Sequence, residues 1–142
     1  MSGVLIDTNV ISEILRATPD ARVGAWSQQV PKQQLFLSVI SMGELRKGVT
    51  ILPQSTRRAQ LEKSIKEQVP VWFEERILPL TQSIAERWGV LDGQRQLMGR
   101  PLNVPDGLIA ATALEHGLTV VSRNVRDFEH LGLTLINPWE SA

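Results

Sequence analysis

The sequence predicts an α/β/α protein in which helices cover both faces of a parallel β-sheet. Short apolar runs alternate with segments of helical periodicity along the 142-residue chain, a pattern typical of repeated βαβ units. The first run, Val4–Ile6, is apolar at every position, as expected of a strand that is buried on both faces. We find no internal repeat, low-complexity segment or linker, so we expect residues 1–142 to form one domain.

Five apolar runs are predicted to be strands. They are residues 4–6, 35–38, 77–80, 118–121 and 133–136. Between them, helical patterns are predicted at residues 8–16, from about 18 to 30, around Glu44, over 56–75, after Thr81 and from Asp106 to Gly117. Thr18 is the predicted cap of the second helix, since proline and an acid follow it. Pro70 predicts a kink or break within residues 56–75.

Composition and charge narrow the classes of protein. The chain has no cysteine, which excludes disulfides, zinc–thiolate sites and cysteine nucleophiles. Its 15 basic and 15 acidic residues balance, whereas proteins that coat duplex nucleic acid are usually basic; local basic groups can still hold a short or structured RNA. No apolar run approaches the roughly 20 residues that span a bilayer. We expect no signal peptide, a cytoplasmic location and no membrane association.

Three carboxylates lie next to apolar residues, where the sequence predicts burial. Asp7 directly follows the first apolar run, and Glu44 lies in a helical segment among small and apolar residues. Asp106 shares a predicted helix face with Ile109 and Ala113, because residues three and seven apart lie on the same side of a helix. A lone buried carboxylate is costly, whereas several that converge can share a cation. A metal site is therefore the leading hypothesis.

Each acid also has a purely structural interpretation. The residues Asp7, Thr8 and Asn9 all cap helices well, Glu44 fits an exposed helical position, and Asp106 complements the helix dipole in a first turn. An aspartyl phosphatase is a further alternative for Asp7. That chemistry typically needs a second acid two residues on, where this chain has Asn9, so the alternative is weakened.

Four stretches of the chain resemble the PIN-domain nucleases and, among them, the VapC and FitB toxins of bacterial toxin–antitoxin systems. They are residues 5–10, 38–45, 106–113 and 121–128, which read LIDTNV, SVISMGEL, DGLIAATA and VSRNVRDF. Each motif alone is short, but four in this order are specific. The resemblance implies a three-layer PIN-like domain with a four- or five-stranded parallel sheet.

The resemblance also implies a set of site residues. Asp7, Glu44 and Asp106 match the family's catalytic acids, which bind divalent metal. A fourth acid often falls where this chain has Asn124, which offers a carbonyl oxygen without charge, so the number of metal ions is left open. Ser122 matches a position where the family has a small hydroxyl residue near the site.

Oxygen ligands of this kind suit Mg²⁺, with Mn²⁺ as an alternative. Two such ions would activate a water and stabilise the leaving oxygen in phosphodiester cleavage. Three arginines, Arg123, Arg126 and Arg46, are predicted to contact phosphate together with Ser122, since guanidinium groups commonly bind phosphate oxygens.

Together, the residues and the resemblance predict a Mg²⁺-dependent endoribonuclease that acts as the toxin of a toxin–antitoxin pair. The preference for RNA comes from the resemblance, as do a homodimer or hetero-oligomer and a small antitoxin that blocks the site and binds DNA. Two alternatives remain open: a catalytically weak PIN-like module that only binds partners, and a phosphohydrolase of small molecules. Metal-dependent cleavage of RNA would separate these functions.

Overall fold

Five parallel strands form the central sheet of the computed structural model, which describes residues 3–140. They are β1 (Val4–Ile6), β2 (Leu35–Ser38), β3 (Ile77–Leu78), β4 (Thr119–Val121) and β5 (Leu135–Ile136). The order across the sheet is β3-β2-β1-β4-β5, and every neighbouring pair is parallel. The predicted parallel α/β/α fold is confirmed, with five strands.

Seven α-helices lie within residues 3–140. They are α1 (Thr8–Ile14), α2 (Ala21–Gln29), α3 (Val39–Thr50), α4 (Thr56–Lys63), α5 (Val69–Phe73), α6 (Gln82–Leu97) and α7 (Val104–His116). Shorter helical turns are Lys32–Gln34, Ser64–Gln68, Glu74–Arg76 and Val125–Phe128. In this part of the chain, no helix combines the length and the apolar character needed to cross a membrane.

Capping residues explain where the helices begin. Thr81 caps α6, as predicted. The cap of α2 is Asp20, whose carboxylate accepts a hydrogen bond from Arg22 N at 2.8 Å. The prediction of Thr18 as this cap is wrong, because the carboxylate of Asp20 also binds the Arg22 guanidinium and so fixes the helix start two residues later.

The polar segment predicted as one helix over residues 56–75 is helical from Thr56 to Phe73 but is distorted by a π turn just before Pro70, where the proline predicted a kink or a break. Proline has no backbone N–H, and its ring excludes the carbonyl four residues earlier. Helix α4 ends at Lys63, the residues Ser64–Gln68 form a wider π turn, and α5 begins with Pro70 in its first turn. Helix α5 ends at Phe73, where Glu74 takes a positive φ of 48°, and the turn Glu74–Arg76 leads into β3.

The side chains of β1 alternate between two apolar clusters on opposite faces of the sheet. Val4 and Ile6 belong to the cluster formed with α1, α2, α3 and α5. Leu5 belongs to the cluster formed with α7. All three side chains are at most 1% exposed. This double covering holds the end of β1, and the residue after it, in a fixed position.

Helices α6 and α7 approach each other closely at Gly107. A Cβ atom at this position would lie 2.8 Å from Trp88 Cδ1 and 2.9 Å from Trp88 Nε1. The Trp88 indole N–H is buried without a hydrogen-bond partner among the described residues. Only a glycine lets the two helices pack at this distance.

Replacing Gly107 by Ala is expected to destabilise the protein by about 1–3 kcal/mol, because the half-buried indole ring of Trp88 must shift to make room for the added methyl group. Urea unfolding measures the change. Gly89→Ala on α6 is the control, since a Cβ there meets no atom within 4 Å; it is expected to stabilise by about 0.5–1 kcal/mol. Equal stability of the two variants would contradict the tight contact.

Candidate active site

The carboxyl ends of three adjacent strands meet at one edge of the sheet. Strand β1 pairs with β2 on one side and with β4 on the other. As a result Asp7, which follows β1, lies between Ser38 at the end of β2 and Ser122 directly after β4. The strand order runs outward from β1 to β2 and β3 on one side and to β4 and β5 on the other. The carboxyl ends of β1 and β4 therefore flank a crevice, and α/β proteins bind their ligands at such a reversal of strand order.

Asp7 is 4% exposed, and its carboxylate accepts three hydrogen bonds. The donors are Ser122 Oγ at 2.7 Å, Thr8 N at 2.8 Å and Asn9 Nδ2 at 3.3 Å. Burial nevertheless raises the pKa of Asp7 above its usual value, against the bonds from Ser122 and Thr8, which lower it. Asp7 is also the N-cap of α1, so the capping interpretation holds alongside its place in the crevice.

Asn9 joins the start of α1 to the loop after β4. Its amide nitrogen donates to Ser122 Oγ at 3.3 Å, and its Oδ1 accepts from Arg123 N at 3.3 Å. Ser122 Oγ also accepts from Asn124 N at 3.0 Å. The sequence identified Asn9 only as a capping residue, because its partners lie more than 110 positions further along the chain.

Glu44 is held at the crevice by a hydroxyl on another element. Thr8 Oγ1 donates to Glu44 Oε1 at 2.6 Å, a length typical of a charge-assisted bond. Ser41 Oγ lies 2.8 Å from Thr8 Oγ1; because the Thr8 proton points to Glu44, Ser41 is the donor here. Ser41 and Glu44 are three residues apart on α3 and share one face. Sequence reasoning missed both hydroxyls.

Asp106 lies in the first turn of α7, where Asn103 caps the helix and accepts from Asp106 N at 3.4 Å. Burial, and then the charges of Asp7, Asp127 and Glu44, raise the pKa of Asp106 to about 6. Four carboxylates therefore lie within electrostatic reach of one another at this edge.

The burial of the three predicted acids differs from expectation for two of them. Asp7 is buried as predicted, but Glu44 and Asp106 are only half-buried. Asp106 stands in the first turn of α7, where the core stripe of Ile109 and Ala110 has not yet begun. Glu44 is followed on α3 by Leu45, which takes the core position instead. Both acids consequently face the crevice rather than the apolar interior.

Asp127 is the fourth acid at this edge. Its charge contributes to the raised pKa of both Asp7 and Asp106, and it borders the same cleft as Asp106, a cavity of about 310 Å³. The helical turn Val125–Phe128 supplies the backbone path that brings it there. Asn124, at the start of this turn, is exposed.

Within residues 3–140, no three histidine, cysteine, aspartate or glutamate side chains are close enough together to hold a metal ion as they are arranged. The donors nevertheless fit a divalent cation chemically, since they are carboxylates, and burial together with the neighbouring negative charges raises the pKa of Asp106. Metal binding by Asp7, Glu44, Asp106 and Asn124 stays a prediction.

The three arginines predicted to contact phosphate lie in different places relative to the acids. Arg126 borders the cleft that contains Asp106. The Arg123 guanidinium lies over the Trp139 ring, 5.2 Å from its centroid, and Asn137 Nδ2 donates to Arg123 O. Arg46 borders a separate cleft beside the π turn. The structure thus groups Arg126 with the acids and leaves Arg46 apart.

Fold and site together define an α/β protein with an acid-lined crevice at the switch point of its sheet. Comparison with protein families gives a match to the PIN domain over residues 4–132. The chain belongs to the PIN domain family. This confirms the resemblance carried by the four motifs.

Individual relatives cover almost the whole chain. The VapC ribonuclease Y4jK of Sinorhizobium fredii is 37% identical and matches 98% of this chain and 99% of its own length. The toxin FitB of Neisseria gonorrhoeae is 35% identical and matches 96% and 98%. A chain in the solved structure of FitAB bound to an IR36 DNA fragment superimposes with a TM-score of 0.90 at 33% identity, covering 98% of this chain and 97% of that one.

Replacing Asp106 by Asn is expected to stabilise the metal-free protein at neutral pH. The folded pKa is about 6 against a usual value of 3.8, so the folded protein binds more protons than the unfolded chain between these values. The contribution of Asp106 to stability is therefore fully present below about pH 4 and is lost as the pH rises through 6. After allowance for solvent screening, the variant should avoid a loss of roughly 1–2 kcal/mol.

Urea unfolding in EDTA from pH 4 to pH 8 measures this effect. The advantage of Asp106→Asn should be smallest at pH 4 and grow toward pH 8. Glu86→Gln, at an exposed position of α6, controls for the change in net charge. A variant that is less stable than the unsubstituted protein at pH 8 would contradict the raised pKa of Asp106.

Proposed function

We propose that this protein is a metal-dependent endoribonuclease that hydrolyses RNA phosphodiester bonds and acts as the toxin of a toxin–antitoxin pair. The observation that carries the proposal is the group of four carboxylates, Asp7, Glu44, Asp106 and Asp127, coupled through their charges at the strand ends. Two relatives support the activity, one named a VapC ribonuclease and the other the toxin FitB.

Asp7, Glu44 and Asp106 would hold a divalent cation, with Mg²⁺ as the expected ion and Mn²⁺ as an alternative. Asp127 is proposed to supply the negative charge that Asn124 lacks. When bound, such an ion supplies Lewis-acid stabilisation and a more acidic water. Asp106 is half-buried, so a cation bound there would be accessible from the cleft, where a phosphodiester can approach.

The surrounding hydroxyl and amide groups orient the acids. Thr8 fixes one oxygen of Glu44, while Ser122 and Asn9 fix Asp7. Partners of this kind set the direction of a ligand's oxygen atoms, and their loss commonly weakens metal binding 10- to 100-fold. Arg123 and Arg126 are proposed to contact substrate phosphates. The same role for Arg46 stays a prediction.

An antitoxin is the proposed protein partner, supported by the likeness to a chain of FitAB. Its docking site is proposed to be an apolar cleft of about 550 Å³ between α1, α2 and α5, and its occupant an apolar helical segment. The cleft is lined in part by Ile11, Ile14, Trp26, Val30 and Trp72. The side chain of Trp72 is 36% exposed, which leaves apolar surface for a partner to cover.

A homodimer or a hetero-oligomer, and the cytoplasm as location, stay predictions.

Asp106→Asn is expected to lower RNA cleavage on the order of a hundredfold or more, because it removes a charge that holds the cation. Cleavage of a mixed structured RNA by the purified, antitoxin-free protein is followed on gels with Mg²⁺, Mn²⁺ or EDTA, and circular dichroism verifies the fold. Retained cleavage in the folded variant would exclude Asp106 from the site. No cleavage by the unsubstituted protein with either metal would favour the partner-binding alternative, and hydrolysis of a chromogenic phosphate ester instead would favour the phosphohydrolase.

A matched pair of variants distinguishes the two candidates for the fourth acidic position. Asp127→Asn should reduce cleavage strongly, whereas Asn124→Ala should retain most of it, since Asn124 brings no charge. The reverse result would assign the fourth position to Asn124.

Thr8→Val is expected to weaken Mg²⁺ binding about 10- to 100-fold, because Glu44 loses its hydroxyl donor. Titration of the cleavage rate with Mg²⁺ measures the apparent affinity. Thr8→Ser keeps the hydroxyl and should behave like the unsubstituted protein. If Thr8→Val and Thr8→Ser bind Mg²⁺ equally well, the hydrogen bond to Glu44 has no part in metal binding.

A further inference from the structure

The cleft beside Asp106 and Asp127 has a basic wall. Arg95 from α6 and Arg126 line the same cavity as the two carboxylates. Within residues 3–140, neither guanidinium forms an ion pair with a carboxylate. Their positive charge is therefore available to an anion that enters the cleft.

Arg95 is held in place without losing its charge. Its Nε donates to Arg100 O at 2.9 Å, and its Nη1 donates to Glu129 O at 3.2 Å. Backbone carbonyls fix the orientation of a guanidinium but do not neutralise it as a carboxylate would. Two of its five N–H groups are used in this way, and the remaining three can bind a phosphate.

Arg95 also borders a second cleft, a cavity of about 260 Å³, together with Met98, Arg100 and His130. The two clefts therefore share one arginine as a common wall. Arg100 and His130 are both exposed, so their side chains can reach a strand that lies on the surface. Basic side chains thus continue from the acids across Arg95 to the second cleft.

Several arginines elsewhere on the surface are paired with carboxylates. They are Arg16, Arg22, Arg58 and Arg87, which contact Glu13, Asp20, Glu62 and Glu115. Such pairing neutralises much of an arginine's attraction for phosphate. Among the described residues, Arg95 and Arg100 form no such ion pair, and both border the cleft beside the acids or the one next to it.

We propose that an RNA strand leaving the acid cleft passes over Arg95, and that Arg100 and His130 bind its next phosphates. We call Arg95, Arg100 and His130 the basic path. This inference rests on the proposed ribonuclease function and adds the course of the substrate on one side of the acids. The contacts are to the sugar–phosphate backbone, so the basic path positions the strand without reading its sequence.

Equilibrium binding of a fluorescent single-stranded RNA tests the basic path in the Asp106→Asn protein, which is expected not to cleave it. Arg95→Gln keeps a neutral donor for the backbone carbonyls but removes the charge, and Arg100→Ala removes an exposed side chain. Each is expected to weaken binding roughly five- to tenfold and to reduce the slope of log affinity against log salt by about 0.7.

Arg87→Ala is the matched control, because Arg87 lies on the same helix and pairs with Glu115 at 3.1 Å; its salt slope should not change. Equal slopes for this control, Arg95→Gln and Arg100→Ala, with RNA still bound, would overturn the basic path and leave the ribonuclease proposal intact. Absence of both RNA binding and RNA cleavage by the unsubstituted protein would overturn both. Arg100→Ala keeps the test decisive if Arg95→Gln fails to fold.

Discussion

Repulsion among carboxylates gathered at one edge of the sheet is the constraint on which the rest of this structure depends. Asp7 is buried there, and burial of Asp106, followed by the charges of Asp7, Asp127 and Glu44, raises the pKa of Asp106. Like charges at this spacing stay together only if packing elsewhere fixes the elements that carry them. The two apolar clusters on either face of β1 provide that packing, so the stability of the core offsets the electrostatic cost of the site.

The features that depended on local pattern could be predicted from the sequence. The uniformly apolar run Val4–Ile6 predicted a strand buried on both faces, and the rule for parallel sheets then placed Asp7 at the ligand-binding edge. Pro70 predicted the distortion between α4 and α5, because a proline lacks the backbone N–H that a regular helix needs at that position. The helical spacing of Asp106 and Ile109 predicted that Asp106 lies against the core, and this was wrong, because Asp106 stands in the first turn of α7, is half-buried and faces the crevice.

The features that depended on distant partners could not be predicted. Thr8 and Glu44 are 36 positions apart, and no periodicity connects a hydroxyl on one helix with a carboxylate on another. Asp127 reaches the acids only through the turn Val125–Phe128, whose backbone path a single sequence does not reveal. Thr18 failed as a cap for a local reason, since Asp20 accepts hydrogen bonds from both the backbone N–H and the side chain of Arg22.

Because β1 is short, Asp7 helps to fix the register in which this strand pairs with β4. The strand has three residues, and a slip of one position against β4 would exchange its two faces. Leu5 would then enter the cluster that holds Val4 and Ile6, and the Asp7 carboxylate would lose its hydrogen bond from Ser122 Oγ beside β4. Loss of a hydrogen-bond donor to a buried charged group costs about 1–3 kcal/mol or more. The acid that the site requires thus also selects against the nearest misfolded alignment of the central strand.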